Sequence, residues 1–138
     1  MKKKAFIIFC IVLPFIIFSC NDDDDNIYKS IEGTWIVEEH NSVTGMSNYQ
    51  AYIDIGDNEP PVLYIQIDNF HNLGVDKVVY AGMEGNKITI GQQIVFGSGE
   101  SVNGNGEISS DKKNINWDYE VDDGSGETEY VTAYYKRK

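Results

Sequence analysis

Ile115-Asn116-Trp117-Asp118-Tyr119-Glu120-Val121 is the stretch on which the fold turns. Apolar and polar residues alternate across it without a fault. Ile115, Trp117, Tyr119 and Val121 therefore share one face, and Asn116, Asp118 and Glu120 the other, as in a strand buried on one side. Working outward, Trp35 and Val37 oppose Glu38, and Tyr49, Ala51, Ile53 and Ile55 oppose Gln50, Tyr52 and Asp54. Leu63, Ile65 and Ile67 likewise oppose Tyr64, Gln66 and Asp68. Residues 78–81, 88–90 and 94–96 read as shorter strands, apolar on both sides and ambiguous in facing. The stretch 102–108 is thin in side chains, and 130–135 ends the pattern. From Tyr28 onward no helical periodicity exceeds two turns, which predicts an all-β domain.

The connectors set the topology. Glu84-Gly85-Asn86, Ser110-Asp111-Lys112-Lys113-Asn114 and Asp122-Asp123-Gly124-Ser125-Gly126 are short turn sequences, and short turns join antiparallel neighbours. The expectation is an up-and-down meander of about eight strands closed into a small barrel. Pro60-Pro61 sits just ahead of a strand, where a missing amide does no harm.

The chain has 138 residues, with 11 basic against 22 acidic side chains and a formal charge of −11. That total joins two unlike parts. Lys2-Lys3-Lys4 followed by the apolar residues 5–18 reads as a secretory signal, since an h-region runs to roughly 7 to 15 residues. A helix of that length, rising about 1.5 Å per residue, falls short of a hydrocarbon core about 30 Å thick, and Pro14 weakens it further. Without the three lysines, eight basic residues face twenty-two acids, a formal charge of −14. Such a surface repels phosphate backbones and anionic headgroups, so nucleic acid is excluded as a partner.

Ile17-Phe18-Ser19-Cys20 resembles the lipobox of bacterial lipoproteins, although Phe18 departs from the usual residue at its position. The resemblance implies cleavage after residue 19 and acylation of Cys20, here taken to include palmitate. Cys10 would leave with the signal, so no disulfide, Cys-ligated metal or cysteine nucleophile remains. Asn21-Asp22-Asp23-Asp24-Asp25-Asn26 is by composition a solvated, self-repelling tether. It also resembles the acidic export signal of surface-exposed lipoproteins in Bacteroidota-type outer membranes. The expected organisation is a signal peptide (1–19), a lipidated Cys and acidic tether (20–27), and a barrel domain (28–138). The expected location is the outer membrane, lipid-anchored and facing the cell surface, with a periplasm-facing orientation as the alternative.

Gly33-Thr34-Trp35, opening the first strand, resembles the Gly-x-Trp signature of lipocalins and their calycin relatives, in which the Trp closes one end of the barrel. Ile67-Asp68-Asn69-Phe70, Val79-Tyr80-Ala81, Ile90-Gly91-Gln92-Gln93 and Gly104-Asn105-Gly106-Glu107-Ile108, in that order, are similar to small lipocalin-like lipoproteins of the same bacterial group. The late Arg that packs on the Trp in lipocalins has no clear match, because Arg137 is the only arginine and sits at the extreme C-terminus.

Candidate ligand contacts are aromatic. Trp35, Tyr49, Trp117 and Tyr119 point inward, where they either pack a narrow eight-stranded interior or line a small pocket. Tyr52 and Tyr64 point outward among Asn, Gln and Asp, where neighbouring strands could join them as a platform for sugar rings or a plain cross-strand contact. Catalytic signatures are sparse. His40 and His71 precede Asn and turn residues and read as solvated, strand-end histidines that form no metal site. Adjacent acids such as Glu38 and Glu39 point to opposite faces of a strand, which denies them the fixed separation of a glycosidase pair. The loop Asp122 to Glu127 reads as a Gly-rich hairpin, with weak Ca²⁺ binding as the alternative.

The sequence thus predicts a cofactor-free, non-enzymatic binding or accessory module, attached to the membrane by lipid and taking a small ligand or glycan. The alternative is a structural or inhibitory module contacting a surface protein, and behind it a small hydrolase.

Overall fold

The structure, a computed structural model, describes residues 31–56 and 63–138. The signal segment, Cys20, the acidic tether and Pro60-Pro61 lie outside these residues. Eight strands follow one another: β1 (Gly33–Asn41), β2 (Gly45–Ile55), β3 (Leu63–Asp68), β4 (Val78–Glu84), β5 (Lys87–Ile94), β6 (Ser101–Ile108), β7 (Asn114–Asp122) and β8 (Thr128–Arg137). A 3₁₀ turn at Phe70–Asn72 interrupts the connection from β3 to β4. Each strand pairs antiparallel with its successor, and β8 returns to β1 from Trp35↔Arg137 to Asn41↔Val131, so the sheet is a closed barrel. Closure removes the unpaired edges that an open eight-stranded meander would expose.

The alternation read from Ile115 to Val121 holds in three dimensions: Ile115, Trp117, Tyr119 and Val121 are buried and the residues between them are exposed. The ambiguous strands resolve in the same way, with Val79, Ala81, Ile88 and Ile90 inside. The thin strand β6 has a steric cause. A Cβ at Gly106 would lie 2.8 Å from the Trp117 ring, and one at Gly104 would lie 2.3 Å from the Cβ of Tyr119. Large rings on β7 thus require absent side chains on β6.

Two expectations about the barrel wall need correction. Residues 94–96 are not a strand of their own: β5 runs through Ile94, and Ile94 and Phe96 are exposed. The cause is a register shift between Ile90 and Gln93. Beyond it the paired backbone of β4 and β5 gives out, and the Gln93 side chain substitutes, its amide donating to the Tyr80 carbonyl at 2.6 Å and its oxygen accepting the Tyr80 amide at 3.0 Å.

Arg137 does meet the first tryptophan. Its guanidinium carbon lies 5.6 Å from the centroid of the Trp35 ring, and Nη2 donates to the Glu32 carbonyl at 2.6 Å. Strand β8 ends opposite the start of β1, so the last residues of the chain fall beside the first residues of the barrel, and distance from the Trp in sequence is no guide. Trp35 donates from Nε1 to the Ile31 carbonyl at 2.9 Å, and Ile31 is fully buried. This is the entry end of the barrel. The opposite, far end carries the 3₁₀ turn and the loops after β1, β5 and β7.

Candidate functional site

Among the described residues the far end, and not the entry end, places charge inside the wall. Two residues beyond Val37 on the inward face of β1 stands Glu39, 3% exposed, and two further stands Asn41, 2% exposed. A carboxylate so placed is costly unless its oxygens are filled. Four side chains fill them. Tyr49 from β2 donates to Oε2 at 2.6 Å, and Tyr119 from β7 makes a very short hydrogen bond to the same oxygen. The Ser47 hydroxyl reaches Oε1 at 3.4 Å, and Nδ1 of His71 lies 3.0 Å from it.

His71 comes from the 3₁₀ turn, which folds over the barrel mouth. Asn69, His71 and Asn72 all have positive φ, near +55° to +60°, a conformation that side chains other than Gly adopt at a cost. The turn is held by the Asn69 side chain, whose Nδ2 donates to the Gln50 carbonyl at 2.7 Å and whose Oδ1 accepts the Gly74 amide at 2.8 Å. The contorted backbone aims two neighbours inward. Phe70 is fully buried, 4.6 Å from Tyr119 and 5.8 Å from Trp117 between ring centroids. The His71 side chain, 12% exposed, lies between two acids, with its Nε2 3.7 Å from Glu129 on β8. Asn41 makes a short hydrogen bond from Nδ2 to the same Glu129 oxygen, while its Oδ1 accepts the Val43 and Thr44 amides of the next turn.

The electrostatics follow from this crowding. Burial alone would raise the Glu39 pKa, but hydrogen bonds from His71, Tyr119 and Tyr49, with the His71 charge, hold it below its ordinary value. Burial would lower that of His71, yet the hydrogen bond and charge of Glu39, with Glu129 and Glu100 behind, raise it. Both shifts favour the charged pair, imidazolium beside carboxylate. Tyr49 and Tyr119 are pushed well above the usual phenol range, first by burial and then by surrounding tyrosines and Glu39, so they remain proton donors. Beneath them the buried Trp117 Nε1 has no acceptor among the described residues, while the buried Tyr135 hydroxyl interacts with that of Tyr49.

The residues singled out in the sequence separate into three groups. Trp35 is committed to the entry end. Trp117 and Tyr119 pack against Phe70 inside the far end. Tyr52 and Tyr64 are on the outside but apart: Tyr52 pairs with Asp68 and Tyr64 with Gly82, which sets them four residues out of step and forms no joint platform. His40 is exposed on β1, as read, whereas His71 is not solvated, because the turn that follows β3 doubles back into the mouth. At the loop after β7, Asp122 and Asp123 spend their Oδ1 atoms on the Gly124 and Ser125 amides at 2.8 Å, the bonds of a hairpin turn. Glu39, Asn41, Glu129 and Tyr135 were missed as site residues, whereas Tyr49 is an inward ring, as its alternation predicts. Continuing the alternation from Trp35 and Val37 by one step puts Glu39 inside, and that was the available signal.

Comparison with known proteins adds a fold. The chain is similar to a redesigned beta barrel, b11L5F_LGL, at 16% identity and a TM-score of 0.56, over 81% of this chain and 95% of that one. It is similar also to EF1p2_mFAP2b bound to DFHBI, at 18% identity and a TM-score of 0.53, over 80% and 95% of the two chains. The likeness is one of architecture. No protein-family model and no curated protein matches the sequence.

Proposed function

We propose that this chain is the folded domain of a lipid-anchored, surface-facing lipoprotein of the outer membrane, and that its lipocalin-like barrel is a non-enzymatic binding module for a small, flat ligand. The ligand's place is beneath the 3₁₀ turn, where Phe70 now stands between Trp117 and Tyr119. The observation that carries this reading is the buried Trp117 Nε1, a donor with no acceptor among the described residues, on the ring that packs edge-on against Phe70. Buried donors without acceptors cost about 1–3 kcal/mol each, a cost that a ligand bearing acceptors removes.

The strained turn supports an opening at this end, since its left-handed residues reduce what is lost when it lifts. The first described residue, Ile31, lies at the opposite end. The carboxylates favour binding over hydrolysis. Glu39 is saturated by donors, and Glu129 is engaged by Asn41 and His71, so neither stands as an unoccupied base above a cleft.

The neutral fluorophore N-phenyl-1-naphthylamine tests the reading. It should bind saturably and quench tryptophan emission, and bind about tenfold more tightly to Phe70→Ala. Absence of saturable binding in both the wild type and a folded Phe70→Ala would remove the ligand chamber. Separately, Cys20→Ala should release the protein from membranes, and an unchanged membrane fraction would refute the lipid anchor.

A second reading draws on the rim of the same end. Val75, Ile94 and Phe96 are 81%, 73% and 87% exposed. Their exposure supports contact with a surface protein, which stoichiometric cross-linking lost in Phe96→Ser would identify.

A further inference from the structure

A second site lies on the outer wall, away from the chamber. Across β5 to β8 and on to β1 runs a groove of about 580 Å³. Its floor is β6, where the Gly104 backbone and the short side chains of Asn103 and Asn105 leave the wall low. The register sets its lining in two cross-strand rows. Thr89, Asn105, Asp118, Thr132 and His40 stand opposite one another in the first, and Asn103, Glu120 and Tyr130 in the second. Neighbouring residues in a row are separated by the strand spacing of about 4.8 Å.

Three features of this lining point to one class of ligand. First, the polar groups are unspent. Apart from a 3.4 Å contact between Thr89 and Asn105, no side-chain hydrogen bond or ion pair engages Asn103, Asp118, Glu120, Thr132 or His40 among the described residues. Second, Tyr130 stands beside them with its ring 62% exposed, a flat apolar face at the edge of a polar carpet. Third, the groove contains two carboxylates and neither Lys nor Arg. An anionic ligand is repelled by it, while hydroxyl groups find strong acceptors in Asp118 and Glu120 and paired donor and acceptor sites in the two asparagines.

We propose that this groove is a binding site for an uncharged oligosaccharide, which stacks one ring on Tyr130 and hydrogen-bonds its hydroxyls along the Asn105–Asp118–Thr132 row. The site is independent of the chamber beneath Phe70, since its side chains point away from the barrel interior. It also takes over the role that the sequence suggested for Tyr52 and Tyr64.

Titration calorimetry tests it with the full folded domain and a panel of uncharged hexasaccharides of glucose, mannose, galactose and xylose, against a sulfated hexasaccharide as the acidic control. At least one uncharged member should bind with a Kd of about 1 mM or tighter, and the sulfated one should not. Tyr130→Ala should weaken that binding by about tenfold, and Tyr130→Phe, which keeps the ring, should leave it nearly intact. Asn105→Ala should weaken it several-fold. Tyr64→Ala and Phe70→Ala should leave it unchanged, the second separating this site from the interior one. All these outward substitutions lie on exposed positions, and circular dichroism will verify the fold. No binding by any uncharged member, binding of the sulfated control alone, or binding indifferent to Tyr130→Ala would overturn the proposal.

Discussion

The two ends of the barrel solve the same problem with opposite chemistry. At the entry end, a fully buried Trp35 satisfies its one polar atom on the Ile31 carbonyl and is covered by the Arg137 guanidinium. The cation stays at the surface, the apolar area goes inside, and no charge is desolvated. At the far end, a carboxylate sits inside and is neutralised by an imidazolium that a strained turn brings in from above. Burying that pair costs several kcal/mol per ion before the hydrogen bonds return it, so it adds little to net stability. What it adds is conditionality, because the far end holds only while His71 and Glu39 keep opposite charges.

The contrast can be broken from either side. The largest effect is expected from Trp35→Ala, at about 3–5 kcal/mol in denaturant unfolding, the same at every pH. Glu39→Ala should cost about 3 kcal/mol, since it takes the shared carboxylate from His71 and two tyrosine hydroxyls, and should also flatten the pH dependence of stability. A pH-dependent loss in Trp35→Ala, or an unaltered pH profile in Glu39→Ala, would erase the distinction between the ends. Between the two lies Gly106→Ala, whose new Cβ must displace the Trp117 ring. It should cost about 1–3 kcal/mol and be read by the same unfolding curves. The smallest effect should be that of Arg137→Ala, about 1 kcal/mol.

The wild-type pH profile sharpens the comparison further. His71 has a raised folded pKa, so its contribution is complete below its ordinary value of 6.5 and is lost as the pH rises through the folded value. Glu39 has a lowered one, so its contribution is complete above 4.5 and is lost as the pH falls through the folded value. Both are complete between about pH 4.5 and 6.5, where stability should be greatest, with His71→Gln flattening the alkaline side. Thermal unfolding across that range measures this directly.

The difference between the ends also explains what could be read from the sequence. The strands were legible because a period of two is local, and Ile115 to Val121 carries it unaided. Short turns then dictated the meander. The Trp35–Arg137 contact was hidden because it depends on barrel closure, which joins residues about a hundred positions apart. The far-end cluster was hidden for another reason. His71 acquires its position from three left-handed residues, none of them Gly, and no pattern in Asn69-Phe70-His71-Asn72 announces them. Glu39 was within reach by alternation, but a carboxylate on an inward face has meaning only once its four partners, on two strands and a turn, are in place. Tyr52 and Tyr64 show the same boundary, since alternation gives the face of a residue and register alone gives its neighbours.

The central claim is that the barrel opens at the end where the buried charges lie. Amide hydrogen exchange tests it most directly, by comparing Leu73, whose amide donates to the Phe70 carbonyl, with amides of β1 around Trp35 across the pH range. The account predicts that Leu73 exchanges by a local opening well below the global unfolding energy, best protected between about pH 4.5 and 6.5 and less so above, while the β1 amides exchange only with global unfolding. If both sets exchange together at every pH, the far end is no gate and the account is wrong.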